Sequence, residues 1–373
     1  MPDITCTPLD DLTVHYPDGI RPPGLSYGKA ATYHKHFRDG AKGNPWHPFL
    51  NSFDFNAGRQ LIESHQTKGF IDRWLNSGMD NDKIKSFHNA EQLWTLFEMC
   101  DHGLRDCPWH RLSLGPPEEE STDKNTVFFR DVLRCAQFLL QYLPFQDHMG
   151  YAPVQQHTEG SMRVFNQMWT GDWWWKQQIE IADGGTIVPL LFASDKTHLT
   201  NFSGDKFAWP LYMSIGNISK AIRSERTKKA WVLVALLPIP RKGPDPGEIH
   251  DLCHRALDAI LHHIKGVTED GARWACSDGG VRHCYPVICA WLADYQEHAC
   301  IARLVDKRCP RCELPPEEMG HDVNMHGGVK RDKDTYLEML ERNKTPADFK
   351  VLGVTGARPV FWDHPRCDVY SLW

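Results

Sequence analysis

Two aspartates stand where long apolar runs end. Asp195 follows Thr186–Ser194 (TIVPLLFAS), and Asp294 follows Val287–Ala293 (VICAWLA). A carboxylate at the exit of a buried strand is expected to be partly desolvated, which is costly unless something positive sits beside it. If the two strands are neighbours, about 4.8 Å apart, both carboxylates reach one point in space. Two negative groups meeting there repel, and a divalent cation, Mg2+ or Mn2+, is the usual remedy. Mg2+ takes oxygen ligands and keeps several waters, so few protein carboxylates suffice. Such ions activate a water or a 3′-hydroxyl and stabilise the leaving oxygen in phosphodiester cleavage. Spacing alone also fits a plainer reading, because aspartates at strand ends commonly form turns or cap helices. Asp172, Asp205 and Asp278 are rival acids. Asp278 is accounted for by the turn Asp278-Gly279-Gly280, and Asp205, in Ser203–Lys206, also reads as a turn.

Cys309 and Cys312 have the x2 spacing with which two thiolates grip one Zn2+ from a tight turn. One such pair is half a site. His298, Cys300, His321 and His326 lie close enough in sequence to complete it, and without partners the pair reads as two reduced thiols. Cys276, Cys284 and Cys289 fall on predicted strands and read as buried thiols. Lys220, Arg223, Arg226, Lys228 and Lys229 form the densest basic cluster, fit either for DNA phosphates or for a solvated surface. Trp173, Trp174 and Trp175 could stack on unpaired bases, but adjacent tryptophans are better explained by core packing. His262, His263 and His283 show no catalytic pairing.

The elements that must position these groups are legible in outline. Residues 1–45 are rich in Pro and Gly and predict an extended or disordered arm. Residues 46–150 read as a helical region. Within it Ile84, Phe87, Leu93, Leu96 and Phe97 recur at helical steps, with Asn81 or Asp82 as a cap, or Asn89 with Gln92 starting a separate helix. A second helix is expected over Thr126–Leu143. From 151 to 300 the pattern turns to strands, near Thr186–Ser194, Trp209–Ile215 and Ala230–Leu237. A helix near Ile249–His263 follows, then strands at Arg273–Ser277 and Val281–Ala293. Together these predict an α/β fold with a mixed sheet. Residues 301–373 hold the cysteine pair and a tail.

With 373 residues, 41% of them hydrophobic and 24% charged, the chain can bury a sizeable core. The longest apolar run, Ala230–Pro240, is interrupted by Pro238 and falls short of the ~18 residues of a membrane helix. The acidic N-terminus lacks the order of a signal peptide, so an intracellular protein with reduced cysteines is expected. The net charge of −6 argues mildly against a dedicated nucleic-acid binder. Residues 196–242 nevertheless carry nine Lys or Arg against two acids, a local +7.

Several strings are long and specific. They are Met168–Trp175 (MWTGDWWW), Ala193–Thr200 (ASDKTHLT), Phe202–Lys206 (FSGDK), Trp209–Tyr212 (WPLY) and Ile215–Lys220 (IGNISK). Phe145–Pro153 (FQDHMGYAP), Cys276–Gly279 (CSDG), Ala293–Glu297 (ADYQE) and Arg308–Cys312 (RCPRC) join them. From about Asn44 to Ser371 the chain resembles the fungal Plavaka-type transposases of the wider CACTA group. The resemblance implies a ribonuclease-H-like core over 151–300, a site of three metal-binding acids (a DDE group), and excision and joining of transposon DNA ends in the nucleus. Asp195 matches the first acid and Asp294 the second. The third is expected downstream of the segment like Cys367–Leu372, past Trp373, and no N-terminal zinc-finger spacing precedes Cys100. A fragment or domesticated remnant, inactive alone, is therefore expected, with DNA as partner and a homo-oligomer as a further option. The rival readings are a non-catalytic DNA- or protein-binding derivative and a zinc-stabilised structural protein.

Overall fold

A seven-stranded mixed sheet organises most of the chain in the computed structural model. The structure describes residues 13–15, 23–28, 49–64, 66–77, 83–100, 107–115, 125–158, 160–182, 184–199, 207–239, 246–305, 307–319, 328–342 and 344–372. Most of the expected N-terminal arm, the rival acid Asp205 and the cap candidates Asn81 and Asp82 lie outside them. By its contacts the chain divides into two units, Lys29–Pro108 and the remainder, Met1–Gly28 with Trp109–Trp373.

The unit Lys29–Pro108 holds helices α1 (Ser52–Glu63), α2 (Lys68–Leu75) and α3 (Ala90–Cys100). Phe49, Leu61, Ile71, Ile84, Phe87, Ala90 and Leu93 form its core. Asn89 starts α3: its side chain accepts from the Gln92 N–H (2.8 Å), while the Gln92 side chain accepts from the His88 N–H (2.8 Å). The separate helix is therefore the correct alternative, and Ile84 and Phe87 reach the core from the segment before it. Asp54 is buried here, accepting from the backbone N–H groups of Lys85 and Ser86 at 3.1 and 2.8 Å.

In the larger unit the strands are β1 (Thr13–His15), β2 (His110–Ser113), β3 (Thr126–Phe129), β4 (Val154–His157), β5 (Arg163–Val164) and β6 (Thr186–Ser194). They continue as β7 (Thr197–His198), β8 (Phe207–Ala208), β9 (Pro210–Ile215), β10 (Val232–Leu236), β11 (Ala272–Ala275) and β12 (Val281–Leu292). The helices are α4 (Val132–Gln141), α5 (Asp172–Ile179), α6 (Lys220–Ser224), α7 (Pro246–Leu261), α8 (Ile264–Asp270), α9 (Tyr295–Ile301), α10 (Lys333–Glu341) and α11 (Pro346–Leu352). The seven-stranded sheet runs β11-β12-β6-β9-β10-β3-β2. Its interior strand β6 is buried at every position but Ala193, as a near-continuous apolar run requires when both faces are covered.

From β6 the chain turns back through the antiparallel neighbours β9 and β10. It then leaves through α7 and α8 and re-enters by the hairpin β11–β12, which lays β12 parallel to β6. A parallel neighbour needs a long crossover of this kind. The Asp278-Gly279-Gly280 turn closes the hairpin as expected, with Gly279 at φ +79° and Asp278 accepting from the Gly280 N–H at 3.0 Å. Arg282 bonds Asp278 at 2.6 Å and lies 3.7 Å from the ring centre of Tyr151, so this acid is held structurally.

The expected helix over Thr126–Leu143 is corrected at its start. Thr126–Phe129 is strand β3, beside β10, and α4 begins only where Asp131 caps it, accepting from Leu133 and Arg134 N–H groups at 2.9 and 3.2 Å. A β-branched and aromatic run (TVFF) fits a sheet better than a helix. The expected helical region 46–150 thus also contributes β2 and β3 to the sheet. Trp174 is fully buried among Ile187, Tyr285 and Val287, with Trp173 packed against that cluster, so the tryptophan run serves the core. Among the described residues no helix is long and apolar enough to cross a membrane.

A buried histidine ties α7 to the C-terminal segment. The Val360 N–H donates to Nδ1 of His254 (3.1 Å), which leaves the proton on Nε2, 3.1 Å from the Cys300 carbonyl. Burial, aided by the Arg303 cation, holds this imidazole down at about 3, far below its ordinary 6.5. The unfolded chain takes up the proton near 6.5, the folded one only near 3, so this stability is complete above 6.5 and is lost as pH falls toward 3. Between pH 7 and 5 the loss from His254 is roughly 2 kcal/mol. Denaturant titrations at both pH values should show His254→Gln less stable at pH 7 and with a shallower fall to pH 5. Equal falls in the two proteins would contradict this.

Candidate metal centre

The parallel pairing of β6 with β12 is registered to its last pair, Leu292 with Ala193. Asp294 and Asp195 each lie two residues beyond that pair, so both leave adjacent strands at the same end of the sheet. At the spacing of neighbouring strands, about 4.8 Å, the two backbones leave the sheet side by side. Both residues are exposed. The partial desolvation expected of them is therefore corrected: both acids stand in solvent, one step past buried Ser194 on β6 and two past exposed Leu292 on β12.

Each exit has a local cause. Asp294 takes an extended conformation (φ −74°, ψ 172°) and caps α9, accepting from the Glu297 N–H at 2.8 Å. The cap fixes the backbone of the acid and occupies one oxygen. After Asp195 the chain enters the ribbon β7–β8, where Lys196 Nζ lies 5.2 Å from the ring centre of Phe207 and the rings of His198 and Phe207 are 4.6 Å apart. Beneath both exits sits Glu297, which is 5% exposed. One carboxylate oxygen accepts from the Lys196 N–H (2.9 Å) and the other from the Ser194 hydroxyl. That hydroxyl also accepts from the Trp291 indole N–H at 3.0 Å. Trp291 in turn stacks on Phe192, ring centres 5.1 Å apart, and meets Phe361 edge-on. Sequence reading missed Glu297, although the Asp-x-x-Glu spacing of a capping box was present.

Cys309 and Cys312 form a half-buried knuckle. The Arg311 N–H donates to the Cys309 sulfur at 3.4 Å, and Cys312 bridges to Lys330. Arg331 secures the turn, its Nε donating to the Cys309 carbonyl at 2.8 Å. Burial pushes the Cys309 thiol up, but the N–H groups of Arg311 and Cys312, with Arg331 nearby, outweigh it and leave the thiol below its ordinary value. Burial and the neighbouring Cys309 hold Cys312 above its own. Backbone N–H groups aimed at sulfur suit a thiolate and hence a metal. Of the expected partners, Cys300 is buried in the core and His298 bonds the Trp291 carbonyl (3.1 Å), while His321 and His326 lie outside the described residues. Among the described residues no group of three or more His, Cys, Asp or Glu is placed to hold a metal ion.

The basic cluster is not brought to the acids. β9 starts beside Ser194 and ends at Ile215, beside Leu190, so α6 and the turn Arg226–Lys228 lie at the opposite end of the sheet from Asp195. Lys220, Arg226, Lys228 and Lys229 are exposed there, whereas Arg223 is half-buried and donates to the Ile218 carbonyl at 2.6 Å. Asp172, another rival acid, starts α5 and pairs with Arg163 at 3.4 Å.

No curated protein matches the chain. A family model described as Plavaka transposase matches residues 87–373. That span includes every strand of the seven-stranded sheet, both exit aspartates and the cysteine pair. The chain belongs to the Plavaka transposase family.

Proposed function

We propose that this chain is the core of a transposase that cleaves and joins DNA with the help of Mg2+ or Mn2+, held by Asp195 and Asp294. The observation that carries the reading is the β6–β12 register, which delivers both acids to one end of two adjacent parallel strands. Family membership supplies the substrate class, transposon DNA, and with it a nuclear site of action. The arrangement of the meander β6–β9–β10 with β12 returning parallel beside β6 supports a ribonuclease-H-like sheet.

The exposure of both acids suits a rigid duplex, which could not enter a deep cleft. It also limits the energetics. Two charges near 5 Å apart in water-like surroundings repel by only about 1 kcal/mol, so an ion is held mainly by carboxylate oxygens fixed in place. Bound there, divalent ions supply activation of an attacking water or 3′-hydroxyl and stabilisation of the leaving oxygen. The chain's own residues fix the geometry: Asp294 through its cap on α9, Asp195 through the end of β6. Lys196, the next residue along, carries a cation suited to the scissile phosphate. Cys309 and Cys312 would give two thiolates to Zn2+, a structural ion that stiffens the C-terminal region.

Any nicking of supercoiled plasmid by this chain with Mn2+ or Mg2+ should be lost in Asp195→Ala and in Asp294→Ala, with DNA retention unchanged. DNA retention with no metal-dependent nicking in the parent would instead favour a non-catalytic DNA-binding derivative. For the basic cluster, Lys228→Ala with Lys229→Ala should flatten the slope of log affinity against log salt by about 1.8 if both touch phosphates. An unchanged slope would confine that cluster to a solvated surface. Elemental analysis should find zinc in the purified chain and a loss of it in Cys309→Ser. Zinc retained in that variant would rule out the knuckle.

A further inference from the structure

Among the described residues, Glu297 is the one buried carboxylate that touches the surroundings of both exit acids. Its backbone N–H binds the Asp294 carboxylate at 2.8 Å. Its own carboxylate reaches the neighbouring strand, one oxygen on the Lys196 N–H at 2.9 Å and the other on the Ser194 hydroxyl. Ser194 and Lys196 are the residues on either side of Asp195. A glutamate three residues after a helix cap ordinarily turns back to the cap's own N–H. Here it turns across to β6 instead. Burying a carboxylate is costly unless every oxygen finds a donor, and a hydrophobic side chain would have filled the same space without that demand.

We propose that Glu297 is a positioning residue that locks Asp195 and Asp294 into one frame. The clamp grips the chain immediately before and after Asp195, so that residue cannot rotate about the strand end. It uses the same helical turn that Asp294 caps, so the two acids move together. Trp291 completes it: its indole N–H fixes the Ser194 hydroxyl at 3.0 Å, leaving the hydroxyl hydrogen to point at Glu297. Two exposed carboxylates on separate strands would otherwise wander, and groups that orient the ligands of a metal commonly govern affinity as strongly as the ligands' own environment.

The proposal rests on the metal-holding reading of the acid pair, and its test separates the two. Mn2+ binding to the full chain is followed by electron paramagnetic resonance, at a temperature well below the melting point of each variant. Nicking is followed alongside as kcat and as KM for Mn2+. Glu297→Ala should weaken Mn2+ binding by about 10- to 100-fold and raise the KM for Mn2+. Ser194→Ala should weaken it less. Glu297→Gln, which keeps an oxygen for the Lys196 N–H, should recover part of the loss. A merely structural glutamate would lower the melting temperature and leave the Mn2+ affinity of the folded protein untouched. That result in Glu297→Gln and Ser194→Ala, in a chain whose Mn2+ binding still depends on Asp195, overturns the positioning role and leaves the acid pair standing. A parent chain with no Asp195-dependent Mn2+ binding overturns both.

Discussion

Strand β6 accepts β12 as a parallel neighbour, and that single pairing decides where the two exit aspartates stand. Its register runs from Cys284 beside Thr186 to Leu292 beside Ala193, with one irregularity between Ile288 and Ala290. The irregularity matters to the outcome. Pairs before it differ by 98 positions and pairs after it by 99, and only the second offset sets Asp294 level with Asp195. Without that shift the two acids would be out of step by a residue, and side chains one residue apart along a strand face opposite sides of the sheet.

The surrounding architecture serves this pairing. Helices α7 and α8 carry the chain across to the far side of β6, and the tight hairpin β11–β12 returns it in the parallel sense. The C-terminal segment then closes over β12: the Trp291 backbone N–H donates to the Leu372 carbonyl at 2.8 Å, and Phe361 packs edge-on to Trp291. Beneath the exits, the Trp291–Ser194–Glu297 hydrogen bonds tie strand to strand and strand to helix. The buried layer is thus rigid and the acids it presents are open to solvent, a combination that suits chemistry on a large, stiff substrate.

Much of this was legible in the sequence, and the physical reasons are specific. β6 was read to its residues because TIVPLLFAS is an unbroken apolar run, and β12 because VICAWLA follows a glycine turn. Asn89 was readable as a helix start because its partner Gln92 sits at capping distance. The β3 strand was not, since Phe128, Val132, Leu133 and Ala136 fall at helical steps across a strand-to-helix junction that only Asp131 marks. The exposure of Asp195 and Asp294 was misjudged because a strand's apolar pattern says where burial stops, not how far past it the next residue stands. Glu297 escaped because its partners are about a hundred residues away in the chain, and no local pattern encodes such a bond. The basic cluster was found by composition, but its place at the other end of the sheet follows from strand direction.

The most direct measurement is a crystal structure of the full chain soaked in Mn2+, with the ion located by anomalous scattering. The account predicts a peak at the ends of β6 and β12 with carboxylate oxygens of both Asp195 and Asp294 about 2.1 Å away, as oxygen-ligated ions of this size require. A map with Mn2+ bound elsewhere, or with the two side chains turned away from a shared point, would contradict it.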